Sequence, residues 1–307
     1  MPETLLGALG PFLVPVALLL GLLIGSFLNV VIYRLPRMLD KQWRTECRLV
    51  LADELNAADS PASKHTAEAQ EGSEAPFNLV TPPSTCPACG HQIRPWENIP
   101  VLSYLLLKGK CSSCKSPISI RYPIVETVTA LLSAVVAWQI GPQPALFPAL
   151  ILTWCLISLT LIDADTQLLP DTITLPVLWL GLLINTQGLF TDLESAVWGA
   201  TAGYLSLWSI YWLFKLLTGK EGMGYGDFKL LAALGAWMGW QMLPLIILLS
   251  SLVGAVVGIV MIMAMGRDRQ IPIPFGPYLA AAGWIALLWG HEIVAAWLGR
   301  GPVAGGF

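Results

Sequence analysis

Charge is scarce in this chain. Only 12% of its 307 residues are Asp, Glu, Lys or Arg, against about 25% in an ordinary soluble domain. With 55% hydrophobic residues and a mean hydropathy of +0.66, that scarcity excludes a cytosolic globule and a disordered chain. An excess of basic charge is also lacking. A net charge of −3 and a pI near 5.6 leave no footprint for a phosphate backbone, so no nucleic-acid partner is expected. Histidine is nearly absent, with three copies. His291-Glu292 opens like the zinc-protease motif His-Glu-x-x-His, but position 295 is Ala, so no such site forms. A Ser–His dyad built on Ser26 would have to draw on His65 or His91 from the polar part of the chain, or on His291 near its other end. Internal repeats are lacking as well.

What the chain does have is apolar length. Thr4–Tyr33, Thr127–Ile162, Thr172–Thr191, Ser195–Phe214, Leu230–Gly266 and Gln270–Gly290 are free of charged residues. A bilayer core about 30 Å thick needs roughly 20 helical residues. The two longest runs therefore divide, at Gly141-Pro-Gln-Pro144 and near Gly239-Trp-Gln241, with the first half of Leu230–Gly266 short. The count is eight spans. No Lys or Arg precedes the first, and its run is too long for a signal-peptide core. With the N-terminus outside, 16 of the 17 Lys and Arg fall inside and only Arg300 outside, as the positive-inside rule requires. The expectation is an all-α polytopic membrane protein in three parts. These are a first transmembrane helix (1–33), a small cytosolic domain (34–122) and a membrane domain (123–307), with both termini on the outer face. Within the cytosolic part, Ala52–Ser73 reads as a flexible or weakly helical surface segment.

Cys86-Pro-Ala-Cys89 and Cys111-Ser-Ser-Cys114 are two Cys-x-x-Cys pairs 21 residues apart, one past the usual spacing of about 15–20. Four thiolates close a tetrahedral zinc site, and a domain with little core gains most from such a staple. Gly90 stands where a knuckle turns. Disulfide or thioredoxin-like redox chemistry is the rival reading; a reducing cytosol and the lack of a βαβ pattern weigh against it. Cys47 has no partner at ligand spacing, and Cys155 reads as a small buried apolar residue.

Carboxylates at the ends of spans are costly and suggest function. Asp163, Asp165 and Asp171 lie between the third and fourth spans, and Asp227 closes Gly222-Met-Gly-Tyr-Gly-Asp227. Asp171, after Pro170, reads as the N-cap of the fourth span. Asp165 reads as either a solvated loop carboxylate or a supporting group. Asp163 continues an apolar helix, and three alternate glycines before Asp227 exceed what a cap needs; they would let an extended peptide approach the backbone. Two such carboxylates converging would share one proton, which is aspartic-protease chemistry. A transporter using the acids as a proton relay is the competing class. It predicts repeats and midplane polar groups, whereas these acids gather at one face. Ser26 and Asn29 read as interhelical hydrogen bonders.

An ordered set of motifs now stands out. It comprises Gly25-Ser-Phe-Leu-Asn-Val-Val-Ile-Tyr-Arg-Leu-Pro36, the paired cysteines, Trp96-Glu-Asn-Ile-Pro100, Gly109-Lys-Cys111 and Arg121-Tyr-Pro-Ile-Val-Glu126. It continues with Ile162-Asp163, Leu169-Pro-Asp171, Gly224-Tyr-Gly-Asp227 and Pro274-Phe-Gly-Pro277. Over almost its whole length the chain resembles the bacterial type IV prepilin peptidases (prepilin leader peptidase/N-methyltransferases), which are Gly-x-Gly-Asp intramembrane aspartyl proteases. The resemblance implies removal of the basic leader of type IV prepilins and type II secretion pseudopilins. The cut would fall at the cytosolic face of the inner membrane, after a Gly and usually before a Phe. It makes Asp163 and Asp227 the catalytic pair, supported by Gly224 and Gly226. It further implies methylation of the new N-terminal amine by S-adenosylmethionine, since bifunctional members carry the four-cysteine domain. No glycine-rich Rossmann motif supports that activity independently, and a peptidase without methylation is the alternative. Gly109 is a candidate methylation-associated position or simply a turn before the second knuckle. Glu126 and Asp165 are candidate partners for the positive charge of the leader.

Overall fold

The computed structural model describes residues 10–58, 77–265 and 274–299. Most of the polar segment Ala52–Ser73, the loop carrying Arg267 and Arg269, and Arg300 lie outside the described residues. The described residues form nine α-helices and no strand longer than an isolated bridge. They are α1 (Leu13–Ala58), α2 (Leu102–Leu106), α3 (Arg121–Ile140), α4 (Leu146–Thr166), α5 (Asp171–Asn185), α6 (Leu193–Thr218), α7 (Tyr225–Met238), α8 (Leu243–Met265) and α9 (Gly276–Trp297).

Leaving out the one-turn α2, the eight helices fall on the eight apolar segments of the sequence. Five (α1, α3, α4, α8 and α9) are long and apolar enough to cross a bilayer. The breaks fall at the glycines that divide the long runs: α3 ends at Gly141 (φ 70°) and α7 at Gly239 (φ 81°), both left-handed positions that favour glycine. Large side chains such as Leu19 and Leu23 on α1, Trp198 and Trp208 on α6, and Leu252 and Ile259 on α8 are exposed. An outward surface of this kind suits lipid rather than water. The protein is a multi-pass membrane protein.

One helix behaves differently from its uncharged run. α1 does not stop at Tyr33 but runs on to Ala58, 46 residues in all, through the boundary between the first span and the polar domain. Charge does not break a helix; it only changes the solvent in which the helix lies. Arg34 is buried there and donates to the carbonyls of Asn78 (2.9 Å) and Pro82 (2.7 Å), so the start of the cysteine domain is fastened to α1. Arg37 stacks over Tyr33.

α1 packs along α3 and α4, α4 against α9, and α6 and α5 against α7. α7 is the shortest of the eight, yet its residues from Leu230 to Trp237 are all buried. Close approach makes this possible: a Cβ on Gly199 of α6 would lie 2.2 Å from the Gly235 carbonyl oxygen of α7. The first turn of α7 and the last turn of α4 therefore lie at one end of the bundle, in fixed register. The same end carries the cysteine domain and the charged extension of α1. The connections at the opposite end, 141–145, 186–192 and 239–242, contain no Lys or Arg.

Candidate active site and metal centre

Asp163 lies in the last turn of α4 and Asp227 in the first turn of α7. Both are buried, at 5% and 6% exposure, and both line one cavity of about 1140 Å³. Asp163 Oδ2 accepts the backbone N–H of Gly276 at 3.0 Å. That donor comes from the first turn of α9, in the Pro274-Phe-Gly-Pro277 motif. A Cβ there would lie 2.6 Å from the same oxygen, so any larger residue would push the carboxylate aside. Asp227 Oδ1 is buried and has no hydrogen-bond partner among the described residues. A buried carboxylate oxygen without a donor is costly unless it carries a proton or meets one from a ligand.

Of the three alternate glycines, Gly222 and Gly224 precede the helix and line the cavity, Gly224 in extended backbone as its N-cap. Gly226 is already inside the first turn, where its Cα packs on Leu169; a Cβ there would lie 2.7 Å from the Leu169 Cβ. The unwound backbone is thus confined to the residues before Tyr225.

The other candidate carboxylates lie elsewhere. Asp165 receives the Arg121 guanidinium on both oxygens, at 3.0 and 2.5 Å, joining the end of α4 to the start of α3. Glu126 on α3 is buried and accepts the Val101 N–H at 2.7 Å, which ties the cysteine domain to the bundle; the Ser26 side chain also reaches it. Neither lines the cavity. Asp171 is the first residue of α5 rather than its N-cap, a place held by Pro170. Its carboxylate holds Lys229 at 2.7 Å on both oxygens. Asn29 donates to the Tyr122 carbonyl at 3.2 Å, an interhelical bond as its position suggests.

Sequence reasoning missed the far wall of the cavity, formed by the α1 extension at Pro36, Leu39, Asp40, Trp43 and Glu46. A signal was present: these positions recur every three or four residues, as one helix face does.

The cysteine domain contains two matching knuckles. The Gly90 N–H bonds the Cys86 carbonyl (2.9 Å) and the Lys115 N–H bonds that of Cys111 (3.1 Å); both residues have positive φ, at 70° and 61°. The four sulfurs lie within 4.8 Å of one another, with Cys86 and Cys114 at 3.8 Å. A tetrahedron of Zn–S bonds of about 2.3 Å has sulfur–sulfur edges of about 3.8 Å, so the donor set fits a metal ion of that kind. Protonation follows the same geometry. The Ser116 hydroxyl, helped by the backbone N–H groups of Ala88 and Cys89, lowers the Cys86 thiol to about 6. For Cys89 the His91 N–H favours the thiolate, but the Cys114 sulfur and burial outweigh it and push the thiol up to about 11. Crowded thiols share protons in this way; a central cation relieves the crowding. Glu97 braces both knuckles. It accepts from the Arg94 N–H at 2.9 Å and lies 3.2 Å from His91, and the Arg94 N–H first, then Ser112 and His91, lower its carboxyl to about 2.

Two family models match the chain. One, for the bacterial peptidase A24 N-terminal domain, covers residues 19–140; the other, for the type IV leader peptidase family, covers 150–259. Among curated proteins, the chain is 59% identical over 281 residues to a prepilin leader peptidase/N-methyltransferase of Pseudomonas aeruginosa, with 92% of both chains covered. Proteins of the same name from Aeromonas hydrophila (56% identical, 91% of this chain and 92% of the relative) and Neisseria gonorrhoeae (52%, with the same coverage) are also similar. No solved structure gives a significant match.

Proposed function

The chain belongs to the type IV leader peptidase family, and from that premise we propose that it removes the leader peptide of type IV prepilins and then methylates the exposed N-terminal amine. The observation that carries the peptidase half is the pair Asp163 and Asp227, buried on different helices and facing one cavity. In this reading the two share a single proton. The Gly276 N–H favours the charge on Asp163, and the donorless Asp227 Oδ1 carries the proton. Asp163 takes a proton from the attacking water while Asp227 gives its own to the scissile carbonyl. As the C–N bond breaks, Asp163 passes its proton to the departing amine and Asp227 takes one back from a hydroxyl of the tetrahedral intermediate, so the dyad returns to its starting charge.

Substrate geometry follows from the end of the bundle at which the pair lies. The apolar helix of the pilin enters the bilayer, and the leader stays beside the charged extension of α1. Lys and Arg gather at that end, which makes it the cytosolic side of the inner membrane and leaves both termini on the periplasmic side. Type II secretion pseudopilins share the requirement for a basic leader and an apolar helix, and are substrates in the same reading.

S-adenosylmethionine is the methyl donor for the second activity. Gly109 is the candidate position in the cysteine domain. Its φ is 67°, and a Cβ there would lie 2.9 Å from the Tyr104 hydroxyl, so a substitution would disturb the turn leading into the second knuckle. Cys86, Cys89, Cys111 and Cys114 hold a structural zinc ion, which fixes the two knuckles to each other and takes no part in bond cleavage.

The test uses purified protein in detergent with a prepilin, read by product mass. Wild type should release the leader and, with S-adenosylmethionine, add one methyl group. Asp163→Asn and Asp227→Asn should each abolish cleavage while leaving the fold intact. Full cleavage by both variants would overturn the dyad.

A further inference from the structure

The wall of the cavity opposite the aspartates belongs to α1 beyond its uncharged run. Asp40, Trp43 and Glu46 lie there on one helix face, all exposed, with Trp43 at 66%. Glu221 and Asp171 continue the rim, and among the described residues the only Lys or Arg in the lining is Lys229, already held by Asp171. The rim is therefore rich in carboxylate. Its existing partners are exchangeable. Asp40 meets Arg44 at 2.9 Å and Glu221 meets Lys215 at 2.8 Å, both on exposed carboxylates, and such pairs are individually weak. Glu46 accepts from Gln42 at 3.0 Å, a neutral donor. Deeper in the same cavity lies Asp227 Oδ1, buried and without a partner among the described residues. Exposed indole and phenol faces at Trp43 and Tyr225 complete a surface suited to guanidinium and ammonium groups on an extended peptide. An anionic headgroup would be repelled by this rim, and an apolar helix would leave its carboxylates unpaired.

We infer that Asp40, Glu46 and Glu221 are specificity-determining residues that read the Lys and Arg side chains on the leader side of the cut, with Trp43 stacking on one of them. The inference rests on the peptidase reading of Asp163 and Asp227. Residues 40–46 of a helix span about 9 Å, the reach of about three residues of extended peptide. The cationic part of the leader can therefore lie along α1 while the scissile bond stays at the aspartates.

The test compares two synthetic prepilin N-terminal peptides on the full-length protein in detergent. One has a Lys/Arg leader; in the other those residues are Gln. Wild type should favour the basic peptide in kcat/KM by about tenfold, the scale of a few exposed charge pairs acting together. The triple variant Asp40→Asn, Glu46→Gln, Glu221→Gln should bring that ratio close to one, with the change in KM. A folding defect lowers both peptides alike and leaves the ratio intact, so the ratio isolates recognition. A second arm pairs Glu46→Lys with a peptide whose leader Lys residues are Glu, which this variant should cut better than wild type does. A wild-type ratio near one, or a triple variant that keeps the wild-type ratio, overturns the inference while leaving the peptidase reading in place. If wild type cuts neither peptide, the peptidase reading fails and the inference falls with it.

Discussion

The Asp163 carboxylate accepts the Gly276 N–H at 3.0 Å, joining residues 113 apart in the chain. The contact aims an oxygen of α4 with the first turn of α9, so the geometry of the proposed dyad depends on a helix that supplies no carboxylate. Gly276→Ala would put a methyl group 2.6 Å from that oxygen. Because the neighbour is a side chain, the carboxylate should swing rather than the helix move. A displacement of about 1 Å at a reacting group can cost about a hundredfold in rate. We expect kcat for leader removal to fall by about that factor with the unfolding temperature nearly unchanged. A variant with wild-type kcat would show that the contact does not aim Asp163.

Glu126 should act on the joint between domains rather than on the reaction. Its carboxylate is the acceptor for the Val101 N–H, at a residue with φ of 60° that precedes α2. Glu126→Ala leaves that donor unmet, a loss of about 1–3 kcal/mol, while Glu126→Gln keeps an acceptor. Hydrogen exchange at residues 99–107 should quicken in the Ala variant and much less in the Gln variant. Protection in α7 should be unchanged in both. Equal exchange in Ala variant and wild type would remove Glu126 from this role.

Much of this was legible in the chain. Six uncharged runs, two of them divided, gave eight helices, five of which have the length and apolarity that bilayer thickness demands. The divisions at Gly141 and Gly239 were legible because positive φ favours glycine. The grouping of the four cysteines was legible because two thiols two residues apart can meet one ion. Asp165 and Glu126 were read as candidate substrate partners because each is an acid near a membrane edge. Within the chain their carboxylates meet Arg121 and the Val101 N–H, 44 and 25 residues away, a pairing that only the packing of α3 against α1 and α4 creates. The N-cap reading of Asp171 failed by one residue, since Pro170 already supplies the extended backbone that precedes a helix. The far wall of the cavity is not legible in composition, because the charge-free run ends at Tyr33 while the helix does not.

The cysteine domain should carry one zinc ion per chain. Its apolar core is small, so a metal bound there would contribute much of its folding free energy. Elemental analysis of protein purified without added metal should give about one zinc per chain. Cys86→Ser and Cys111→Ser remove the two buried ligands and should reduce that content sharply. Hydrogen exchange should then rise across residues 84–118 and stay low in α4 and α7, whose contacts lie within the bundle. Full zinc content in both variants would place the ion elsewhere.

Asp192, at the far end of the bundle from the aspartates, gives a pH dependence whose sign can be worked out. It is the N-cap of α6, and its carboxylate accepts the Ser195 N–H at 2.8 Å. That bond, with a further one from the Ser195 hydroxyl, holds its carboxyl below the ordinary Asp value of 3.8. A group lowered in the folded state stabilises the fold at every pH above its unfolded value and loses that contribution as pH falls through the folded one. Asp192→Ala should therefore lower the unfolding temperature in detergent at pH 7, and the gap from wild type should narrow as the solution is taken below about pH 3.8. Asp192→Asn keeps a side-chain oxygen for the Ser195 N–H but cannot titrate. Its difference from the Ala variant should stay nearly constant with pH. A gap between wild type and Asp192→Ala that is the same at pH 7 and at pH 3 would mean that the ionised carboxylate contributes nothing to the cap beyond what a neutral acceptor provides.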